Sequence, residues 1–234
     1  MKKIGILFPS ETELAPFLDD VAIGREDTRC GLKIRYGAMG HLELVLSVCG
    51  IAKVNAAMAA QSLIDSEQPD LVLVCGVSGG IRKGLLIGDT VLSTVVAHHD
   101  VMPSIIEEDN GYEDHWFAAD EDVKEAFEKG IGKLSEEIGN IVFGRIVTGE
   151  QFIDQEGRPQ IIENFDPDCV DMETAAVAQV CKANDLPFFA VRTITDTEDD
   201  SGFGTFRENL KVASQRACRI LLAGLQELDV LAEE

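Results

Sequence analysis

The chain is short of positive charge: 20 lysines and arginines stand against 42 aspartates and glutamates, a formal net charge of −22 over 234 residues. That deficit excludes nucleic acid as a partner, because phosphates would be repelled. It equally disfavours docking on anionic membranes, and it fits an acidic cytoplasmic protein or a salt-adapted source. Long apolar runs are missing too; none approaches the ~18 residues that span a bilayer. Lys2 and Lys3 have the charge of a secretory leader, but Pro9, Ser10 and Glu11 end the first apolar run after Phe8, so no leader is expected. Cysteines lie at 30, 49, 75, 169, 181 and 218 with no C-x-x-C spacing, mostly in apolar runs. They read as reduced, buried small hydrophobes rather than a disulfide framework. With no linker, repeat or low-complexity tract, residues 1–234 are expected to form one domain in the cytoplasm.

Hydrophobic residues make up 45% of the chain, enough for a sizeable core. Their spacing alternates between strand and helix. Ile4–Phe8, Leu42–Val48, Leu71–Cys75, Thr90–Val96, Ile141–Val147 and Pro187–Val191 read as buried strands. Glu11–Leu18, Val54–Ile64, Asp120–Ile138 and Asn209–Leu228 have helical spacing, and Val177–Ala183 is the middle of a further helix. Such alternation predicts a mixed, largely parallel sheet flanked by helices, a three-layer α/β sandwich. His98–Trp116 carries no clear period and is expected to be a functional or mobile loop.

Several catalytic signatures fail on inspection. Gly76-Val77-Ser78-Gly79-Gly80 matches G-x-S-x-G, but a nucleophile elbow must open a helix. Here Gly84 and Gly88 follow closely, then another β run, and no histidine lies beyond residue 115. The glycines fit better as a place where a ligand approaches backbone N–H groups beyond a strand end. Neither a P-loop nor G-x-G-x-x-G is present. His98 and His99 are adjacent on a β run and point to opposite faces, so a shared metal ion is not expected. Acids at strand ends are more informative. Glu13 follows the first strand, Glu173 sits at a strand-to-helix junction beside Asp171, a plausible helix N-cap, and Asp196 follows a buried strand that carries Arg192. Taken singly, each suits a cap or an ion pair. Together they can converge on one pocket and raise one another's pKa, as a carboxyl acid working near neutral pH requires.

The order of these motifs resembles the 5′-methylthioadenosine/S-adenosylhomocysteine nucleosidase family over nearly the whole chain. The resemblance rests on Lys3-Ile4-Gly5-Ile6 with Glu11-Thr12-Glu13, Gly50–Ala57, Gly79-Gly80 with Gly88–Val91, Thr148–Ile153, Val170–Ala178 and Val191–Asp196. It implies a phosphorylase/hydrolase-like fold, a homodimer, no metal or organic cofactor, and a small nucleoside as the partner. Glu13 matches the base that activates water, and Asp196 the acid that protonates N7 of the leaving adenine. Met172 and Glu173 match the ribose-binding pair, Phe152 the ring stacked on adenine and Ile153 the residue whose backbone reads its edge. Arg192 matches the arginine beside the water and its base, while Ile51 and Val77 fall on further substrate-binding positions. Cleavage through an oxocarbenium-like sugar calls for these three acidic roles.

Two departures stand out. The family's serine after the strand glycine is Val77 here, nearer to the futalosine hydrolases, although those enzymes are expected to carry asparagine where this chain has Asp196. Beyond His99-Asp100, the segment His98–Trp116 does not match the one that lines the 5′-alkylthio pocket. A phosphorolytic relative would carry arginines near residues 8–11 and at Val74, where none occurs. A non-catalytic nucleoside-binding protein on the same fold is the remaining alternative.

Overall fold

A computed structural model describes residues 2–29, 31–134, 138–200 and 202–233. Strands β1 (Lys2–Phe8), β4 (Leu42–Val48) and β5 (Leu71–Gly80) lie side by side and parallel through β1. Their side chains alternate between two cores, as strands covered on both faces require. Ile4, Ile6, Phe8, Leu71, Leu73 and Cys75 enter one core, whereas Leu7, Val45, Val72 and Val74 enter the other.

The first core is closed by helices α1 (Glu11–Leu18), α3 (Glu121–Ile131) and α6 (Phe203–Glu233). The second is closed by α2 (Lys53–Glu67) and α5 (Thr174–Ala183). A short helix, α4 (Arg158–Phe165), caps a satellite core formed by Ile161, Phe165 and Val170.

The remaining strands are β2 (Ile23–Arg29), β3 (Leu32–Met39), β6 (Thr90–His98), β7 (Phe117–Ala118), β8 (Ile141–Thr148), β9 (Cys169–Asp171) and β10 (Phe188–Asp196). The order is β10-β6-β8-β9-β5-β1-β4-β3-β2, and β10 also pairs with β5, so β5, β9, β8, β6 and β10 close on themselves. This mixed sheet is less parallel than expected. Among the described residues, five pairings are parallel and five antiparallel. The β2–β3 hairpin accounts for two of the latter and left no hydrophobic signature, because β2 is a charged, largely exposed edge strand.

Helix α3 also ends earlier than its predicted end at Ile138. Asp120 caps it, accepting the Val123 N–H at 3.0 Å, and it stops at Ile131 between Gly130 and Gly132, both poor helix formers. Residues 135–137 of the predicted span, like Cys30, lie outside the described residues. The other five cysteines are buried free thiols. Within His98–Trp116 the chain forms a π-helical turn, Ile105–Asp109, with Ile106 buried beneath it.

Helices α3 and α6 cross at two glycines. A Cβ on Gly130 would lie 2.4 Å from the carbonyl oxygen of Ala223, and one on Gly224 would lie 2.5 Å from the Phe127 ring. Overpacking such a contact costs about 1–3 kcal/mol, more than the ~1 kcal/mol a helix gains from alanine. Gly130→Ala should therefore lower the melting temperature by several degrees, at about 2–4 °C per kcal/mol for a chain this size. An unchanged or raised melting temperature would show that the helices are not in backbone contact there.

Candidate active site

The carboxyl ends of β1, β5 and β10 point the same way, and open α/β sheets bind ligands beyond such ends. The antiparallel pair β5–β9, with Gly79 opposite Val170, brings the start of α5 to the same place. A cavity of about 350 Å³ opens there, within the range of small-molecule sites. Glu13, Glu173 and Asp196, far apart in the chain, all line it, as do Ile51, Val77, Phe152, Ile153 and Met172. Arg192 is the exception: it lies behind the lining, fully buried.

Glu13 is delivered by the first turn of α1, whose N-cap Ser10 accepts the Glu13 N–H. Its Oε2 accepts the Ser10 hydroxyl at 2.5 Å and its Oε1 the Val77 N–H at 3.1 Å. Val77, lacking the family hydroxyl, thus contributes through its backbone. The approach depends on Gly76, since a Cβ there would come within 2.5 Å of Glu13 Oε1 and 2.8 Å of Arg192 Nη1.

Arg192 organises the acids around it. Its Nε lies 2.8 Å from Asp171 Oδ2 and donates to Thr174 Oγ1 at 2.9 Å. Its Nη1 donates to the Val77 carbonyl at 3.2 Å and its Nη2 to Glu173 Oε2 at 3.3 Å. The N-cap of α5 is Glu173 and not Asp171 as expected, because the helix starts at Thr174; Asp171 Oδ1 still accepts the N–H groups of Glu173 and Thr174, each at 3.2 Å, while Thr148 Oγ1 donates to it at 2.6 Å. On its other oxygen Glu173 accepts the Ala52 N–H at 3.0 Å. Ala52 holds φ +80° to make that bond, a strained conformation for a residue with a Cβ and one that collects at functional sites.

Burial pushes the carboxyl pKa of Glu13 up, against the pull of Ser10, Arg192 and the Val77 N–H. It pushes Glu173 up to about 7, with Arg192 opposing and Asp171 reinforcing. Asp196 is raised as well, by burial, against the Thr195 hydroxyl and Arg158. Burial alone would lower Arg192, yet Asp171, Glu173 and Glu13 hold it above the usual arginine value. It is a permanent cation, each of its three nitrogens engaged by an acceptor of the protein.

Sequence reasoning missed part of the wall. Phe203 and Phe206, at the start of α6, stack on each other at 5.5 Å and meet Phe152 edge-on. Pro9, Ser78 and Gln151 also line the cavity. Arg158, on α4, donates to Asp196 Oδ2 at 3.2 Å; nothing in the local sequence marks it. His98 and His99 stand apart from the cavity, His98 pairing with Gln179 at 3.0 Å.

The chain is similar to known proteins along nearly its whole length. Residues 3–226 match the phosphorylase superfamily. A 5′-methylthioadenosine/S-adenosylhomocysteine nucleosidase from Exiguobacterium sp. is 34% identical, covering 97% of this chain and 99% of that protein. The structure of such a nucleosidase from Colwellia psychrerythraea 34H, in complex with adenine, is 31% identical with a TM-score of 0.87 over 97% of this chain and 96% of that one. The futalosine hydrolase of Helicobacter pylori strain 26695 is 25% identical, with a TM-score of 0.85 over 97% of this chain and 98% of its own.

The raised pKa of Glu173 ties stability to pH. An acid whose folded pKa lies above its unfolded value stabilises most when protonated, and that contribution is lost as pH rises through the folded value. Glu173→Gln removes this titration. The stability of the glutamine variant relative to wild type should rise by roughly 2–3 kcal/mol between about pH 5 and pH 8, read by urea denaturation. A flat difference would mean that Glu173 is not desolvated.

Proposed function

The chain belongs to the phosphorylase superfamily and, within it, to the 5′-methylthioadenosine/S-adenosylhomocysteine nucleosidases, and on that footing we propose that it hydrolyses the N-glycosidic bond of one or both of these nucleosides. The observation that carries the reading is a cavity walled by Glu13, Glu173 and Asp196 with no lysine or arginine among its lining residues. A phosphate dianion there would face acids without a clamp, so water is the nucleophile.

In this reading Glu13, buried beside Arg192, takes a proton from the attacking water. Asp196 gives a proton to N7 of the departing adenine. Glu173 accepts bonds from the ribose hydroxyls beside Met172 and favours the positive charge that develops on the sugar. Phe152, 38% exposed at the mouth, stacks on the base, and Ile153 offers its backbone to the base edge. Ile51 and Val77 complete the sugar side. The raised pKa of Asp196 suits an acid that must carry its proton when substrate binds. Futalosine is a second candidate substrate, favoured by Val77 in place of the family serine and by the likeness to the Helicobacter pylori enzyme.

The wider reading is a single three-layer sandwich domain working in the cytoplasm in methionine salvage; no helix among the described residues is long and apolar enough to cross a membrane. It acts as a homodimer. Support for the dimer comes from Ile51, Val54, Met58, Met102 and Ile105, large apolar side chains left at 40–67% exposure, a kind of surface that marks association sites.

Incubation with methylthioadenosine, S-adenosylhomocysteine, 5′-deoxyadenosine and futalosine, with release of free base followed, tests the substrate. Asp196→Asn should lower kcat by about 10²–10⁴-fold while binding stays close to wild type. Wild-type kcat in that variant rejects the assignment, and tight binding without base release from any nucleoside makes the chain a binding protein.

A further inference from the structure

Arg158 is the first residue of α4, where its positive charge opposes the helix dipole, so the helix itself gives no reason for an arginine there. Its side chain is nevertheless buried, 3% exposed. One Nη donates to the Gly80 carbonyl, the other to Asp196 Oδ2 at 3.2 Å, and its Nε has no partner. An apolar side chain of similar length would fill this space without an unmet donor, and replacing buried ion pairs by apolar residues is often neutral or stabilising. The arrangement makes sense if the charge serves Asp196.

We infer that Arg158 is a positioning residue for Asp196: it fixes the carboxyl at the cavity wall and stabilises the carboxylate that remains once the proton has gone to the base. The inference rests on Asp196 being the general acid. As the C1′–N9 bond breaks, its electron pair passes to adenine and the Asp196 proton moves to N7. Water bonds to C1′ and loses a proton to Glu13. Asp196 is then an anion in a buried site, and Arg158 is the cation facing it.

The other charges nearby do not substitute for it. Glu198, after β10, and Asp154, in the loop before α4, both face Arg158 and add negative potential. Arg82 is engaged with Asp168 at 2.5 Å. Glu13, Asp171 and Glu173 line other parts of the cavity, and the Thr195 hydroxyl donates to Asp196 Oδ1 at 2.9 Å. Burial raises the Asp196 pKa, and the Thr195 hydroxyl and Arg158 pull it back, so the arginine adds to what governs the release of the proton.

The test is the pH profile of kcat/KM for Arg158→Met and Arg158→Lys, with Arg158→Gln measured alongside so that one misfolded protein does not decide the matter. The alkaline limb, where Asp196 loses its proton, should move up by about one unit or more in the methionine and glutamine variants, the shift expected on losing an opposite charge at this distance. Their kcat should fall at least about ten-fold. Lysine should restore both. The acid limb, set by Glu13, should stay in place. An alkaline limb unmoved in the folded variants, or a lysine variant no better than methionine, overturns the inference. Asp196→Asn in the same series separates the premise: wild-type kcat there removes the general acid itself, and the role of Arg158 with it.

Discussion

A single guanidinium, that of Arg192, holds the cavity together. It is fully buried, and it bonds or pairs with Asp171, Glu173, Thr174 and the Val77 carbonyl while standing beside Glu13. It therefore ties the end of β5 to the start of α5 and lets several acids share one small volume. Removing one partner of such a buried pair typically costs about 3–5 kcal/mol, because the other charge is stranded. The same pairing has a chemical consequence: each nitrogen of Arg192 already serves an acceptor of the protein and the guanidinium lies behind the lining, so the cavity keeps its negative character for a sugar that becomes positive.

Local costs cluster around that cation. Ala52 adopts a conformation suited to glycine so that its N–H reaches Glu173. Gly76 is bare because Glu13 and Arg192 crowd the space a side chain would need. Glu13, Glu173 and Asp196 are each pushed toward their neutral forms by burial. None of these features improves the fold. Each is what a desolvated acid–base site demands, and the two cores on either face of the sheet, packed around residues such as Phe17, Phe127, Leu63 and Val177, supply the stability that offsets them.

Much of this was legible in the sequence, and the illegible part has identifiable causes. Runs such as Leu42–Val48 and Glu11–Leu18 end where they were read, because turn and cap residues bound them. Leu71–Cys75 runs on to Gly80 because β10 and β9 pair with Gly76–Gly80, a contact distant in sequence. The charged hairpin β2–β3 left no periodic signal. Among the acids, the position just after the first strand pointed to Glu13 and the strand-to-helix junction to Glu173. Arg158, Phe203 and Phe206 are set beside Asp196 and Phe152 only by the docking of α4 and α6, which local sequence does not encode. Arg192 stands next to Glu13, as its place on the strand before Asp196 implied, but behind the wall, where it orients the acids that line the cavity.

These acids, with Arg192 and Arg158 already engaged by Asp171, Glu173 and Asp196, admit water and refuse phosphate. The most direct measurement is turnover of methylthioadenosine in ¹⁸O-labelled water with inorganic phosphate in excess, followed by mass analysis of the sugar. The account requires ¹⁸O at C1 of the free sugar and a rate indifferent to phosphate. A sugar 1-phosphate, formed at a rate that rises with phosphate, would contradict it.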